Sequence, residues 1–215
     1  MYIFQPDRHL LTKQVQRYSN YIKGRVLDVG AGEYNRYEHL FHCDEYVKMD
    51  IFQSENVDVV GSADNIPFGG ETFDSVISTQ VLEHLKYPEK AVQETSRVLK
   101  RGGVCLLTAP QMNELHLEPN DYFRYTKYGL IELFERNGFE TVQYDQRGGY
   151  HTTIAQMHVR YLIDRFNLHK SRFLGKMASR IFSVYGKYAI WLDAVDNSKA
   201  NRKHSIGWTF VFRKK

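Results

Sequence analysis

The sequence predicts an α/β protein with a doubly wound, mainly parallel sheet of seven strands. Strand-like runs alternate with helical patterns along the 215 residues, which is typical of a parallel sheet wrapped on both faces. The apolar, β-branched run 25–29 is broken by a glycine turn at 30–32, as at the end of a buried strand. A helix-forming run at 37–41 follows the turn, and the next strand-like run ends in a carboxylate, Asp50. This order places ligand-binding groups at the carboxyl edge of the sheet.

The remaining elements follow from local patterns. Apolar residues recur at three- and four-residue spacing from Leu10 to Ile22, which predicts an amphipathic helix before the first strand. Pro88 is typical of a first helical turn, and a second helical pattern spans 127–137. Further strands are predicted at 46–50, 56–60, 72–78, 104–108, 140–144 and 206–212.

Length and charge indicate the organisation of the chain. By length it forms a single domain, 1–215, in which 151–205 is a helical insertion before the last strand. Residues 1–150 contain 16 Lys and Arg against 22 Asp and Glu, whereas residues 151–215 contain 13 against 3, so the basic C-terminal part has a different surface role.

There is no uncharged apolar run of 18 residues and no signal-peptide pattern, so we expect a cytoplasmic protein. Cys105 lies in an apolar run and is predicted to be a buried structural thiol.

The glycine turn and Asp50 together predict a nucleoside cofactor. A turn into a helix leaves backbone N–H groups available to a carboxylate or phosphate, and glycines allow close approach of a ligand. A carboxylate at the tip of the second strand can accept hydrogen bonds from ribose hydroxyls. A dinucleotide fingerprint would have a third glycine at the position of Asn35, and no Lys-Ser or Lys-Thr pair makes a phosphate loop, so NAD and ATP are both disfavoured.

Three blocks of the sequence occur in the order found in one protein family. Asp28 precedes the glycine turn, FDSVISTQVLEHL covers the fourth strand, and RVLKRGGVCLLTAP covers the fifth. Over residues 20–147 the chain resembles the class I S-adenosylmethionine (SAM)-dependent methyltransferases, in particular the small-molecule group that includes the ubiquinone-type enzymes. The resemblance implies a Rossmann-like methyltransferase fold and SAM as cofactor. Tyr34 stands where the family motif has its third glycine, which alters the expected approach to the methionyl end of SAM.

The resemblance also implies which residues contact SAM. In this family the carboxyl ends of parallel strands converge where the strand order reverses, which is where such sheets bind nucleotides. The residues expected there are Asp28, Gly30 and Gly32 beside the methionine part, Asp50 beside the ribose and Asp64 beside the adenine amine. Further cofactor-binding residues are expected at Ala31, Ile51, Ala63, Asn65 and Gln80, the last at the tip of the fourth strand.

Candidate catalytic residues follow the fourth, fifth and sixth strands. Methyl transfer from a sulfonium is an in-line displacement, so positioning and, for a hydroxyl acceptor, a general base supply much of the rate. Histidine titrates near neutral pH and is the natural base. No set of His, Cys and acidic residues at ligand spacing indicates a metal site. The candidates are His116, which lies in a long loop of a length that is usually functional, together with His84, Asp121 and His151.

The acceptor is indicated only by one phrase of the sequence. HLEPNDYFRYT resembles a phrase of bacterial methyltransferases from surface-polysaccharide clusters, which favours an oxygen of a sugar or of a lipid-linked intermediate. Thr79-Gln-Val-Leu stands where DNA enzymes that methylate amino groups have an Asp- or Asn-Pro-Pro-Tyr motif. Neither cysteine follows a proline, as the nucleophile of cytosine C5 methyltransferases does. DNA is therefore excluded as the methyl acceptor. An RNA methyltransferase and a non-catalytic SAM-binding protein are the alternatives.

The insertion contains an apolar helical face beside a cationic stripe. Residues from Phe173 to Leu192 recur at helical spacing on one face, and Arg172, Lys176 and Arg180 begin a stripe beside it. Because apolar stripes of this kind usually belong to a core, we expect a lid or core helix. A homodimer surface and peripheral membrane contact through 160–192 are the alternatives.

Overall fold

A computed structural model of the chain describes residues 3–34 and 36–215, so Asn35 lies outside the described residues. Five α-helices and seven strands are formed in this part of the chain. The helices are α1 (Pro6–Arg17), α2 (Pro88–Val98), α3 (Lys127–Glu135), α4 (Tyr150–Arg165) and α5 (Arg172–Val195). The strands are β1 (Arg25–Val29), β2 (Glu45–Asp50), β3 (Val59–Val60), β4 (Phe73–Thr79), β5 (Leu99–Pro110), β6 (Phe139–Arg147) and β7 (Gly207–Lys214).

The strands form one seven-stranded sheet in the order β3-β2-β1-β4-β5-β7-β6. β1 pairs in parallel with β2 and β4, β2 with β3, and β4 with β5. β7 runs antiparallel to β6, because the backbone N–H of Ile206 donates to the carbonyl of Arg147 and that of Lys215 to the carbonyl of Gly138. The predicted doubly wound, mainly parallel sheet of seven strands is therefore confirmed. The strand order reverses between β1 and β4, so their carboxyl ends border the crevice in which such sheets bind ligands.

The chain forms two compact units. The sheet unit contains residues 14–110, 115–145 and 208–215, and the helical unit contains residues 3–13, 111–114 and 146–207. The single domain 1–215, with 151–205 as an insertion, stays a prediction.

The core of the sheet unit lies on the central strands. Leu27 of β1 is level with Val47 of β2 and Val76 of β4, and all three are buried. Complete burial of such a side chain contributes about 1.5–3 kcal/mol. Cys105 of β5 is buried as predicted, and burial raises the pKa of its thiol to about 12. A thiol in this position is structural.

The helical unit combines small residues with a buried ion pair. α5 buries a face made mainly of Gly175, Ala178, Phe182, Gly186 and Ala189. At Gly186 a Cβ atom would lie 2.7 Å from the Phe4 ring, so only glycine permits this close approach. Arg147 is fully buried, and its Nη1 lies 2.8 Å from Asp7 Oδ1.

Four local predictions need correction. The helix predicted over 10–22 is displaced towards the N-terminus and ends at Arg17. The predicted third strand is reduced to Val59–Val60. The predicted helix at 37–41 is a 3-10 turn, Glu38–Leu40. The apolar face of α5 is not part of a core, since Ile181, Val184 and Trp191 are 59%, 74% and 55% exposed. The reason is that the small residues of α5 allow close packing on another face and leave the large side chains outside.

Within residues 3–34 and 36–215, no helix is both long and apolar enough to cross a membrane.

Candidate active site at the carboxyl ends of the strands

The glycine turn after β1 leaves open space but few free donors. Gly30 and Gly32 have φ of 77° and 70°, in the left-handed region that favours glycine. A Cβ atom at Gly30 would collide with Val81, whereas one at Gly32 would meet no described atom within 4 Å. The N–H groups of Gly30 and Ala31 donate to the carbonyl of Met49 at 2.8 and 3.1 Å. The expected anion site at a helix N-terminus is therefore wrong, because these donors are used and the helix found among the described residues between the turn and β2 is only the 3-10 helix Glu38–Leu40.

Asp28 is a buried carboxylate beside this turn. Its Oδ2 accepts a hydrogen bond from the Tyr46 hydroxyl at 2.9 Å, and its Oδ1 has no hydrogen-bond partner among the described residues. Burial raises the pKa of Asp28 to about 7, and the charges of Asp50 and Glu38 also raise it. A cationic ligand group would stabilise the ionised form. Tyr46 was not anticipated from the sequence, although β1 and β2 are predicted neighbours.

Asp50 is fixed at the tip of β2 by two backbone donors. Its Oδ2 accepts from the N–H of Gly32 and its Oδ1 from the N–H of Phe52, both at 3.0 Å. Each carboxylate oxygen has a second lone pair, so ribose hydroxyls can still donate to it. Ile51, which follows, is 60% exposed and offers an apolar surface.

The segment after β3 is held in a tight turn. Asp64 Oδ1 accepts a short hydrogen bond from the Ser62 hydroxyl, and the N–H of Asn65 donates to the Ser62 carbonyl at 3.1 Å. Ala63 is buried next to them. The turn is anchored at Ile66, whose N–H donates to Glu94 at 2.8 Å.

Gln80 has an uncommon backbone conformation directly after β4. Its φ is 57°, which is unusual for a residue other than glycine, and such strain often occurs at functional sites. The side-chain Nε2 donates to the Thr108 hydroxyl at 3.2 Å and the backbone N–H to the Thr108 carbonyl at 3.1 Å. Gln80 thus joins the ends of β4 and β5.

Three of the four candidate catalytic residues come together after β4 and β5. The rings of His84 and His116 have centroids 4.8 Å apart at an interplanar angle of 86°. His116 Nδ1 lies 3.4 Å from Asp121 Oδ2, and the His116 backbone N–H donates to the same oxygen at 2.9 Å. Burial lowers the pKa of His84. Glu83, which the sequence analysis did not single out, is fully buried beside His84.

Asp121 is held by a bidentate contact with Arg124. The two guanidinium nitrogens lie 2.6 and 2.7 Å from Oδ1 and Oδ2. The hydrogen bonds from Arg124 lower the pKa of Asp121 to about 2. Asp121 therefore stays ionised and suits a role in positioning His116 more than proton abstraction.

His151 does not belong to this cluster. It lies at the start of α4 in the helical unit, where its N–H donates to Asp193 at 3.0 Å and its Nε2 lies 3.7 Å from Asp196. These contacts are typical of a histidine that orders a helix terminus.

Comparison with known proteins identifies the family of this chain. Residues 27–107, which contain the end of β1, the glycine turn and β4, match the methyltransferase domain family. Residues 27–107 therefore form a methyltransferase domain of the SAM-dependent kind, and the chain has the Rossmann-like fold of that class. The cofactor of this methyltransferase is accordingly SAM, and the orphaned Oδ1 of Asp28 and the open space over Gly32 fit a cationic ligand of that kind.

The relatives of this methyltransferase differ in how much of it they match. An uncharacterized protein of Methanocaldococcus jannaschii is 24% identical over 161 residues, which are 66% of this chain and 78% of that protein. The 2-methyl-6-phytyl-1,4-hydroquinone methyltransferase 1 of rice is 30% identical over 94 residues, which are 42% of this chain and only 28% of that protein. Phosphoethanolamine N-methyltransferase 2 of Haemonchus contortus, solved in complex with SAM, shares the fold at a TM-score of 0.58 with 19% identity, covering 97% of this chain and 52% of that one.

Proposed function

We propose that this methyltransferase transfers the methyl group of SAM to an oxygen of a small acceptor, a sugar or a lipid-linked intermediate. The observation that carries the proposal is the cluster of His116, His84 and Asp121 after β4 and β5. A histidine beside an ionised carboxylate is suited to take a proton from a hydroxyl. The phrase HLEPNDYFRYT, which contains two of these residues, supports a sugar-type acceptor.

The cofactor residues are proposed from their places at the strand ends. The ammonium of SAM would lie beside Asp28, over the turn of Gly30, Ala31 and Gly32, because Asp28 is a buried carboxylate that lacks a second partner among the described residues. Charge-assisted contacts of this type stabilise the ionised carboxylate. The other proposed contacts are Asp50 and Ile51 to the ribose, Ala63, Asp64 and Asn65 to the adenine, and Gln80 at the tip of β4.

Each residue of the cluster has a role in the proposed reaction. SAM supplies a methyl group activated by its sulfonium. His116 takes the proton of the acceptor hydroxyl as the oxygen attacks the methyl carbon and the carbon–sulfur bond breaks. Asp121 orients the imidazole and stabilises its charged form, and Arg124 keeps Asp121 ionised.

Substitution of His116 tests this assignment. We expect His116→Ala to bind SAM as the unchanged protein does and to lower turnover by about 10²–10⁴. The assay measures S-adenosylhomocysteine release with a panel of hydroxylated sugars and lipid-linked sugars, and SAM, NAD and ATP binding by calorimetry. His42→Ala, an exposed histidine outside the cluster, is the matched control. Tight binding of NAD without binding of SAM would refute the proposal.

The same assay separates the alternatives. RNA methylation would appear as nuclease-sensitive incorporation of labelled methyl groups into an RNA pool. A non-catalytic SAM-binding protein would bind SAM and transfer methyl groups to none of these acceptors.

We further propose that α5 lies on the surface of a membrane containing anionic lipids. At 100° per residue, its exposed large apolar residues cover one arc and the buried small residues another, while the exposed Arg172, Lys176, Arg180 and Lys187 occupy the arc between them. An apolar face flanked by cations is complementary to anionic lipid headgroups. This placement would suit a lipid-linked acceptor. The cytoplasmic location stays a prediction.

Vesicle co-sedimentation tests the membrane contact. The unchanged protein should bind vesicles with phosphatidylserine at low salt and be released at high salt, because salt screens the cations. Arg172/Lys176/Arg180→Glu should not bind. Lys13/Lys86/Lys90→Glu has the same charge change outside α5 and should bind as the unchanged protein does. Failure of all three to bind, with a dimer observed in solution, would assign the face to a second copy of the chain.

A further inference from the structure

Two histidines and a buried carboxylate converge on one point of the sheet unit. Glu83 and His84 belong to the 3-10 helix Leu82–His84 after β4, and His116 lies in the loop after β5. One ligand atom from each of the three lies within 4.8 Å of the others, and His84 Nε2 is 4.0 Å from Glu83 Oε1. We propose that Glu83, His84 and His116 bind a divalent metal ion. Their separation along the sequence explains why ligand spacing did not reveal the site.

Contacts around the cluster orient both imidazoles. His84 Nδ1 lies 2.6 Å from the carbonyl oxygen of Asn120, so Nδ1 carries the proton and Nε2, on the side of Glu83, is the nitrogen that can bind a metal. His116 Nδ1 faces the carboxylate of Asp121 at 3.4 Å, which makes Nε2 its ligand atom. Histidine ligands typically donate their second ring nitrogen to a carbonyl or a carboxylate, as both do here.

Backbone contacts hold the two ligand-bearing segments together. The carbonyl of Glu83 accepts from the N–H groups of Tyr122 and Phe123 at 2.9 and 3.2 Å. The Tyr125 hydroxyl donates to the carbonyl of Leu82 at 3.1 Å. The loop after β5, which contains His116, is therefore fixed against the 3-10 helix that contains Glu83 and His84.

Burial and charge also favour a cation at this point. Glu83 is completely buried, and a bound cation would favour the ionised form of its carboxyl group. His84 and His116 are half-buried, so one side of the cluster is accessible. Two imidazoles and one carboxylate form a ligand set that suits divalent transition metals and leaves coordination positions open.

The role that we assign to the metal rests on the proposed function, methyl transfer to an oxygen acceptor. A hydroxyl of the acceptor bound at an open position would have a lowered pKa and would release its proton to solvent on the accessible side. His116 would then act as a ligand, and the metal would replace it in activating the hydroxyl. Methyl transfer would stop on removal of the metal, whereas a reaction that uses His116 only as a base would continue.

Calorimetry with the chelator-treated protein and Mn²⁺, Co²⁺ or Zn²⁺ tests the site. We expect one ion per chain, and a visible absorption spectrum of bound Co²⁺ that shows nitrogen ligands. Glu83→Gln and His116→Gln should each weaken binding more than tenfold, and His42→Ala should not change it. Asp121→Asn, which acts through His116, should weaken binding by about 10–100-fold. Far-ultraviolet circular dichroism checks that each variant is folded, and His116→Gln serves if Glu83→Gln does not fold.

The outcomes separate this inference from the proposed function. The metal site is overturned if the unchanged protein binds no metal, or if Glu83→Gln and His116→Gln both bind the metal as tightly as the unchanged protein does. If methyl transfer to an oxygen acceptor nevertheless proceeds in chelator, the proposed function stands without the metal. If the ion binds through these residues and no acceptor is methylated, the metal site stands and the proposed function is lost.

Discussion

The ionisation of Asp28 should control the affinity for SAM. Its carboxylate is buried beside the glycine turn, and its pKa is raised to about 7, first by burial. If the ammonium of SAM lies beside this group, binding requires the ionised form. Affinity should therefore rise as the pH rises through about 7, because the ionised fraction of Asp28 in the free protein rises.

The size of the effect follows from the ionised fraction. With a pKa of about 7, this fraction falls about 25-fold between pH 7.5 and pH 5.5. An α-amino group has a pKa of about 7.7–8.0, so about two thirds of the SAM ammonium is charged at pH 7.5 and nearly all of it at pH 5.5. The affinity should therefore fall by about 15–20-fold over this window.

The free protein should show the opposite trend in stability. An acid whose folded pKa is raised above its ordinary value of 3.8 contributes stability at low pH that is lost as the pH rises through the folded pKa. For a folded pKa of about 7 the loss approaches about 4 kcal/mol. Asp28→Asn lacks this loss and keeps an acceptor for the Tyr46 hydroxyl. It should be more stable than the unchanged protein at pH 8 and should bind SAM more weakly.

Calorimetric titration with SAM at four values of pH, together with urea unfolding, checks both trends. An affinity of the unchanged protein that is constant from pH 5.5 to 7.5 would refute the placement of the ammonium. The same conclusion would follow if Asp28→Asn bound SAM as tightly as the unchanged protein at pH 7.5.

Three further substitutions test other parts of the molecule. Asp50→Ala should weaken SAM binding more than tenfold, because two charge-assisted hydrogen bonds to the ribose contribute roughly 1.5–3 kcal/mol each. The control Asp58→Ala removes another carboxylate that accepts from a backbone N–H, and it should leave SAM binding unchanged. Equal SAM affinity of the two variants would contradict the ribose assignment. Asp7→Asn breaks the buried ion pair with Arg147 and should lower the free energy of unfolding in urea by about 3–5 kcal/mol. The control Glu45→Gln breaks an exposed pair and should lower it by less than about 1 kcal/mol. Similar losses in both variants would show that burial of the pair is unimportant. Gly186→Leu forces a side chain against Phe4 and should cost about 1–3 kcal/mol, so unchanged unfolding would refute the close packing of α5.

The sheet was predictable from the sequence because its central strands are short, buried and bounded by strong signals. β1 ends at a glycine turn, and α2 begins at Pro88, as expected. The predictions failed where local pattern was weak or ambiguous. The run 37–41 is too short to form an α-helix without tertiary support, and it makes only the turn Glu38–Leu40.

The failure on α5 has a different cause. The large residues form a convincing apolar face by periodicity, and the buried face of Gly175, Ala178 and Gly186 gives little hydrophobic signal. Periodicity shows that residues share a face but does not show what the face contacts. Small residues were the missing signal, since a glycine in a helix interior costs about 1 kcal/mol relative to alanine and usually has a packing reason.

The candidate site was predictable only in its components. His84, His116 and Asp121 were singled out separately, and their assembly depends on the loop after β5 folding back onto Leu82 and Glu83. No sequence spacing encodes that contact. Glu83 was overlooked because a glutamate inside a strand-end phrase resembles any solvated acid until its burial is known.

Residues 80–84 connect the glycine turn at 30–32 with the proposed metal site of Glu83, His84 and His116. This connection predicts a difference between two glycine substitutions. A Cβ atom at Gly30 collides with Val81, whose carbonyl accepts from the N–H of His84 at 2.9 Å, whereas a Cβ atom at Gly32 enters open space. Both substitutions strain a left-handed backbone and should weaken SAM binding. Only Gly30→Ala should also weaken metal binding, because displacement of Val81 also moves His84, whose backbone N–H donates to the Val81 carbonyl. Calorimetry with SAM and with Co²⁺ measures the two effects separately, and equal metal affinity of both variants would mean that the cofactor turn and the cluster are mechanically independent.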